Sequence, residues 1–449
     1  GGVDGRYLKD YFRNMSFTSS QRRDLALVST GRGLSLLGDE VAVLGLVLWA
    51  SVRGEGPLAV TALVVAAALP QLVAAPLAGL LADRVPTRRL VSTVSVLQSL
   101  VVLALVAAVA SGSLPLVVLG VLALNVGQAV ANPAWQALVP TIAPGDDLPR
   151  ALSVLQTVTA AAMLLGPAVG GLLVGALGIS AALLVDAVSF LALALVALAL
   201  RVERRPHADE PEKGAAWAGI RLVAASPLLR AMFVLLATTL LAIGAVNVAE
   251  VFLLTQRLGA SAQVYGAIGA LFALGLMLGA TLGRRRLGVR ASARLLVGVL
   301  AWMSSALVVL GLAPTLAVAG AATFAVGAGN GLLNVLVQSI VVRRTPEPVL
   351  GRVFAALSAL VGAGMIVATT AGGALLAVVD VRALIVSCAV LSLVVIGAVG
   401  RVLWTAPDDE TPPGVSPDPV KKVKRFHDAE ELNFTLLADA DHEACEAYG

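Results

Sequence analysis

The chain has 449 residues, of which 58% are hydrophobic and 13% charged, with two cysteines and a formal net charge of +4. Soluble domains are about 25% charged, so this composition excludes a soluble globule, and the same apolar richness excludes a disordered chain. Two cysteines exclude a disulfide scaffold, and so small a net charge predicts no nucleic-acid partner.

Twelve apolar runs follow one another along the chain, each close to the ~20 residues that cross a ~30 Å hydrocarbon core as a helix. The runs are continuous and rich in Ala and Leu, whereas strands of a membrane barrel alternate, so we predict helices. The predicted spans cover 25–51, 57–81, 90–111, 114–139, 151–176, 179–200, 229–254, 262–283, 292–312, 315–342, 353–378 and 382–404.

The basic residues predict an orientation. Of the 32 lysines and arginines, 28 lie in the terminal segments and the even-numbered loops, and only Arg53, Arg257 and Arg382 lie in the odd-numbered loops. Cytoplasmic loops carry such an excess of positive charge. We therefore expect a multi-pass protein of the cell (inner) membrane with both termini in the cytoplasm.

The polar segment 201–214 divides the spans into two sets of six. We expect a cytoplasmic N-terminal segment (1–23), an N-terminal six-helix bundle (24–200), a cytoplasmic linker (201–226), a C-terminal six-helix bundle (227–404) and a cytoplasmic tail (405–449).

An internal repeat supports this division. Seven residues recur 202 positions later, and two more recur 200 positions later. The first set is Asn132, Gln136, Pro144, Leu148, Arg150, Gly170 and Gly171, matched by Asn334, Gln338, Pro346, Leu350, Arg352, Gly372 and Gly373; the second is Gly79 and Arg84, matched by Gly279 and Arg284. Two parallel six-helix halves are typical of a transporter with its site between them.

The loop after the second span carries a motif, whose residues are Gly79, Asp83, Arg84, Arg88 and Arg89. It resembles the signature Gly-x-Leu-Ala-Asp-Arg-x-Gly-Arg-Arg of the major facilitator superfamily, although Pro86 and Thr87 depart from that pattern. The resemblance implies the twelve-helix fold of two pseudo-symmetric bundles and a cytoplasmic gate at these residues, with Arg284 as the counterpart in the second half. A plain positive-inside anchor is the alternative for the arginines.

Span five contains Gly166, Pro167, Gly170 and Gly171, which match the core of the family's antiporter motif, Gly-Pro-x-x-Gly-Gly. The match implies export; tight helix packing is the alternative explanation. The stretches 132–140 and 184–190 resemble the branch that contains enterobactin exporters and macrolide-efflux proteins.

The ionisable candidates within the predicted spans are Arg32, Asp39, Glu40, Asp186 and Glu250. Placing such a residue in the middle of a membrane-spanning helix costs about 2.5–3.5 kcal/mol on insertion scales, so each is a functional candidate. Arg32 and Asp39 share a helix face, and Glu40 is turned about 100° away. A carboxylate inside a bundle can bind and release a proton as access alternates, so Asp39 and Glu40 are the leading proton-coupling candidates. Alternatives are an Arg32–Asp39 ion pair, a bracing role for Asp186 and a water-facing Glu250.

Several polar side chains within the spans predict a substrate lining, with hydrogen bonds between helices as the alternative. They are Asn125, Gln128, Asn132, Trp135, Asn247, Asn330 and Asn334. No lysine follows a Gly-x-x-x-x-Gly pattern, and the three histidines lie in polar segments, so we expect no nucleotide, cofactor or metal site.

The tail from Gly414 to Gly449 resembles a fragment of a bacterioferritin-comigratory-type peroxiredoxin. That family's peroxidatic cysteine lies upstream, and nothing like it precedes Gly414, so we expect no peroxidase activity. A disordered or weakly helical tail is the alternative.

Together these features predict an all-α membrane protein that is not an enzyme: a monomeric, proton-coupled exporter of a small amphipathic molecule such as a drug, macrolide or siderophore. Its expected partners are this substrate, protons and the lipid bilayer. An importer or facilitator on the same fold, or a non-transporting scaffold or anchor, remains the alternative.

Overall fold

The computed structural model describes residues 19–53, 56–73, 85–143, 147–201, 227–283, 289–344, 347–404, 414–416 and 436–438. Within them, twelve long helices each overlap one predicted span. They are α1 Ser19–Val52, α2 Pro57–Val73, α3 Thr87–Ser111, α4 Leu114–Ile142, α5 Leu148–Leu177, α6 Ile179–Ala199, α7 Pro227–Phe252, α8 Ala262–Leu282, α9 Val289–Gly311, α10 Leu316–Arg344, α11 Glu347–Leu376 and α12 Val381–Trp404. A π-helical turn at Leu253–Arg257 extends α7, and the sequence analysis did not predict this turn.

These helices suit a bilayer. Ten are long and apolar enough to cross one, and α2 and α11 contribute the shorter apolar stretches Pro57–Gln71 and Val361–Leu376 within the described ranges. Their outer faces carry exposed aliphatic side chains such as Val188 (63% exposed) and Leu195 (67%). Apolar surface of this extent is stable against lipid and not against water.

The helix contacts repeat between the two halves. In the first half α1 packs on α5 and α6, α3 packs on α4 and α6, and α2 packs on α4; in the second half α7 packs on α11 and α12, α9 on α10 and α12, and α8 on α10. Between the halves α5 packs on α8 as α11 packs on α2. Adding six to a helix number reproduces each contact, which confirms two pseudo-symmetric six-helix bundles.

One end of the molecule joins the halves. Gln256, in the π-helical turn, donates a hydrogen bond from Nε2 to the Ser51 carbonyl oxygen at the end of α1, 3.1 Å away. The next residue, Arg257, forms an ion pair with Asp380, which immediately precedes α12. The extra residue of a π turn changes which side chains point outward. In this turn the adjacent residues Gln256 and Arg257 connect α7 to the end of α1 in the first half and to the residue before α12 in the second half.

We expect this ion pair to stabilise the fold modestly at neutral pH and to lose its effect in acid. The Arg382 backbone N–H donates to Asp380 and the Arg257 guanidinium lies beside it, and together they lower the pKa of the Asp380 carboxyl below its ordinary 3.8. A lowered folded-state pKa contributes stability above the ordinary value and loses it as pH falls through the folded one. Asp380→Asn should therefore lower the thermal unfolding temperature at about pH 7 and leave it unchanged at about pH 2. A deficit that persists undiminished in acid would contradict this account.

The tail contains two short strands that sequence analysis did not predict. Residues β1 Gly414–Ser416 and β2 Leu436–Ala438 pair in parallel, with Val415 opposite Leu437. A weakly helical conformation therefore does not hold for these residues. Strand pairing satisfies backbone hydrogen bonds across the two segments, which their individual sequences cannot reveal.

Candidate functional site

The first cavity lies in the N-terminal half and has a volume of about 390 Å³. It lies between α1, α2 and α4, and its walls are mainly aliphatic. The polar residues that line it are Arg32, Asp39, Glu40, Gln71, Asn125, Gln128 and Asn132. All the candidate amides of α4 thus share one cavity with three of the ionisable residues of α1.

Asp39 and Arg32 each have a partner on α4. Gln128 donates a hydrogen bond from Nε2 to Asp39 Oδ2 at 2.6 Å, and Arg32 Nη2 donates to Asn132 Oδ1 at 3.2 Å. The guanidinium carbon of Arg32 lies 6.0 Å from the centre of the Trp135 ring. Arg32 is thus hydrogen-bonded to the Asn132 side chain. Among the described residues there is no direct ion pair between Arg32 and Asp39. The remaining α4 amide, Asn125, bonds the Val121 carbonyl of its own helix.

The second cavity lies between the two halves and has a volume of about 370 Å³. Residues of α1 and α5 line it from the first half, and residues of α7, α8 and α10 line it from the second. Asn247 and Glu250, both predicted candidates, lie on its wall. Thr323 of α10 donates a hydrogen bond to Glu250 Oε1 at 2.9 Å.

Glu40 belongs to both cavities. Together with Val43 and Val47, which lie one and two turns farther along α1, it forms the wall that the cavities share. Its carboxylate has no hydrogen-bond or ion-pair partner among the residues that the structure describes. Glu40 can therefore contact a molecule in either space.

The segment of α5 that contains Gly166, Gly170 and Gly171 accommodates Glu40. A Cβ atom placed on Gly166 would lie 2.9 Å from Glu40 Cγ, and one on Gly170 would lie 3.1 Å from Val41 Cα. Glycine at these positions therefore lets α1 approach α5 closely with the carboxylate side chain between them.

The adjoining Gly171 faces the opposite way, toward the second half. A Cβ atom there would lie 2.5 Å from the Ala262 carbonyl oxygen and 3.0 Å from Gly266 Cα, both in α8. Its repeat partner Gly373 lies against the Thr61 side chain of α2, at the other contact between the halves. These glycines thus let α5 pack closely on α1 of its own half and on α8 of the other half.

Asp186 lies apart from both cavities. It is fully buried in α6, where Ser189 Oγ lies 3.3 Å from Oδ1 and where Oδ2 has no hydrogen-bond partner among the described residues. Its Oδ1 lies close to Gly38 of α1, since a Cβ atom there would be 2.7 Å away. Asp186 therefore contacts the helix that carries Asp39, from the side away from the cavities.

The other predicted residues are dispersed or lie outside the described ranges. Trp135 is 3% exposed and packs in the core of the first half, and its Nε1 has no hydrogen-bond partner within the part of the chain that the structure describes. Asn334 donates to the side-chain oxygen of Asn330 within α10, and neither residue lines these two cavities. Of the predicted gate, Arg88 and Arg89 are exposed at the start of α3, whereas Gly79, Asp83, Arg84 and Arg284 lie outside the described residues.

Sequence reasoning missed three polar residues that line the cavities. They are Gln71 in the first cavity and Tyr265 and Thr323 in the second. Each is a polar side chain within an otherwise apolar run, which is the signal that identified the asparagines. Hydroxyl groups also occur in many helix–helix contacts, so this signal alone does not separate residues that line a cavity from residues that pack between helices.

No cluster suited to a metal ion is present among the described residues, where three or more His, Cys, Asp or Glu side chains would have to converge. The carboxylates instead occupy separate positions, with Asp39 bonded to an amide and Glu250 to a hydroxyl. Amide and hydroxyl donors orient a carboxylate for a ligand or a proton.

The sequence matches a model of the Major Facilitator Superfamily over residues 28–256 and again over 232–437. The chain belongs to the major facilitator superfamily. It is 27% identical over 414 residues to a Bacillus subtilis (strain 168) protein named as an uncharacterized MFS-type transporter, YfiS, covering 87% of this chain and 94% of that one. The protein is thus a multi-pass membrane transporter of the major facilitator type.

A solved structure shows the same fold. The crystal structure of a mutant of the nucleoside transporter NupG superposes with a TM-score of 0.68 at 12% identity, covering 85% of this chain and 99% of that chain. Separately, 36 residues are 53% identical to the putative peroxiredoxin bcp of Haemophilus influenzae (strain ATCC 51907 / DSM 11121 / KW20 / Rd). They are 8% of this chain and span about a quarter (23%) of that protein, so the resemblance is to a fragment.

Proposed function

We propose that the protein is a proton-coupled exporter of a small amphipathic molecule, such as a drug, macrolide or siderophore. The observation that carries this proposal is the position of Glu40, a carboxylate on the wall shared by both cavities that has no partner among the described residues. A coupling residue must respond both to a proton and to the transported molecule, and a shared wall provides contact with both.

The physical basis of coupling is the cost of an unpaired charge in a closed, apolar space. When water or a cationic group reaches Glu40, the carboxylate is stabilised in its charged form; when the cavities close without either, the neutral form is favoured. Asp39 would take part through the first cavity, where Gln128 orients it and Arg32 lies nearby. Asp186 would bias the protonation of this cluster from behind α1, and Glu250 would act from the second cavity.

The proposed direction, export, rests on the resemblance of Gly166, Pro167, Gly170 and Gly171 to the family's antiporter motif, because importers and exporters alike pass through a conformation open to the cytoplasm. With the basic loops in the cytoplasm, the joined end that contains Ser51 and Gln256 lies outside, so this conformation receives substrate from the cytoplasm or inner leaflet. Asp83, Arg84 and Arg88 would close the opposite end later in the cycle, with Gly79, Arg89 and Arg284 supporting that gate.

The test uses purified protein in sealed liposomes, with a panel of radiolabelled amphipathic compounds and an imposed pH step. We expect accumulation of at least one compound against its gradient, and we expect it in inverted membrane vesicles when their interior is acidified. Uptake only in the opposite direction would indicate an importer. Indifference to the pH step for every bound compound would refute proton coupling.

A further inference from the structure

The second cavity, between the halves, is chemically different from the first. Glu40 and Glu250 are the charged residues on its described wall, and the basic residue Arg32 lines only the first cavity. Each half of the protein thus contributes one carboxylate to this space. A ligand that enters it meets negative groups without a compensating protein cation.

Neither carboxylate is fully satisfied by the protein. Glu250 accepts one hydrogen bond, from Thr323, and Glu40 accepts none from the residues that the structure describes. Two carboxylates that face one poorly hydrated space repel each other, and a positive ligand removes this cost by pairing with both.

The rest of the wall suits an apolar body attached to that charge. Tyr265 and Phe272 of α8 supply aromatic rings, and Val43, Val47 and Ile268 supply aliphatic surface. Aromatic faces attract organic cations, and the volume of about 370 Å³ lies within the range of small-molecule sites.

We propose that the second cavity binds a monovalent organic cation with an aromatic or aliphatic body, held between Glu40 and Glu250. This inference rests on the proposed function, because it identifies the class of molecule that the exporter would carry. It also assigns Glu250 to ligand recognition, in addition to its place in the proposed proton coupling. A neutral molecule of the same shape would leave both carboxylates unpaired.

Two matched probes test the inference by equilibrium binding to the purified full-length protein, without any gradient. One is naphthylmethyl-trimethylammonium, a permanent cation, and the other is the neutral hydrocarbon with carbon in place of nitrogen. We expect the cation to bind about tenfold more tightly or better, because it pairs with both carboxylates and removes their mutual repulsion; tenfold corresponds to about 1.4 kcal/mol. Glu250→Gln should remove most of this preference and leave binding of the hydrocarbon unchanged.

Two further variants keep the test informative. Asn247→Asp adds a carboxylate to the cavity wall one turn from Glu250, and we expect it to strengthen binding of the cation. Asp380→Asn removes a negative charge outside both cavities and should leave the preference unchanged. Equal affinity for the two probes in the unmodified protein would overturn the inference, as would a preference that survives both Glu250→Gln and Glu40→Gln. Because binding is measured without a gradient, these results are independent of whether transport is proton-coupled.

Discussion

Replacing Glu40 by glutamine is expected to abolish pH-driven transport in sealed liposomes while the protein remains folded and inserted. Glutamine fills nearly the same volume beside Gly166, so the packing of α1 on α5 is kept. It cannot take up or release a proton, so the titratable side chain that both cavities share among the described residues is lost. We expect initial rates at the level of protein-free liposomes.

Two comparisons make this result specific. Exchange of labelled for unlabelled substrate at equal pH needs no net proton movement. Because Glu250 remains on the wall of the second cavity, exchange should persist in Glu40→Gln at a raised substrate concentration, whereas a misfolded protein would lose it at every concentration. Asp39→Asn alone tests the neighbouring candidate and should also lower pH-driven transport if both carboxylates act in one step, and the double variant with Glu40→Gln removes both carboxylates. Undiminished pH-driven transport in the double variant would remove proton coupling from this cluster.

The helical architecture could be predicted from the sequence because its causes are local. A span needs about 20 apolar residues, and the twelve predicted runs correspond to twelve helices among the described residues. The repeat was also informative: Gly170 and its partner Gly372 both pack within their own half, against Val41 and Ala245. Matched sequence positions therefore occupy matched structural positions.

The candidate site could be predicted only as a set of residue types. Arg32 and Asp39 do share a face of α1, yet the long arginine side chain reaches Asn132, and Gln128 binds Asp39. Which partner a flexible side chain reaches depends on the neighbouring helix, and sequence spacing does not contain that information. The rotation of α1 that places Glu40 between two cavities is likewise set by its packing on α5.

One sequence signal did point to that rotation, although only the structure shows what it means. Gly166 faces Glu40 in the first half, whereas in the second half Gly244 of α7 faces Ala368 of α11. The crossing of α1 with α5 and the crossing of α7 with α11 each contain a glycine at the contact. In the first half this glycine lies on α5, because α1 carries the side chain of Glu40 at the contact. Glycine at 166 therefore indicates a bulky group opposite.

Replacing Gly171 by leucine is expected to open the joined end of the molecule and to stop transport. The new side chain would meet the backbone of Ala262 and Gly266, which cannot move aside without moving α8. Overpacking costs about 1–3 kcal/mol, which shifts a two-state equilibrium about 5–150-fold away from the conformation described above. Because each transport cycle must pass through both conformations, a bias of this size slows turnover even when the substrate site is intact.

Cysteine labelling measures that shift directly. Thr61 is 5% exposed and contacts Gly373 at the other inter-half interface of the same end, so Thr61→Cys, in a background without Cys388 and Cys445, reports on separation of the halves. A membrane-impermeant maleimide should modify it several-fold faster when Gly171→Leu is present. Gly298→Leu is the matched control, because a Cβ atom on Gly298 meets nothing within 4 Å, and it should change neither labelling nor transport. If Gly171→Leu transports at the normal rate, close contact between α5 and α8 is not a required step of the cycle.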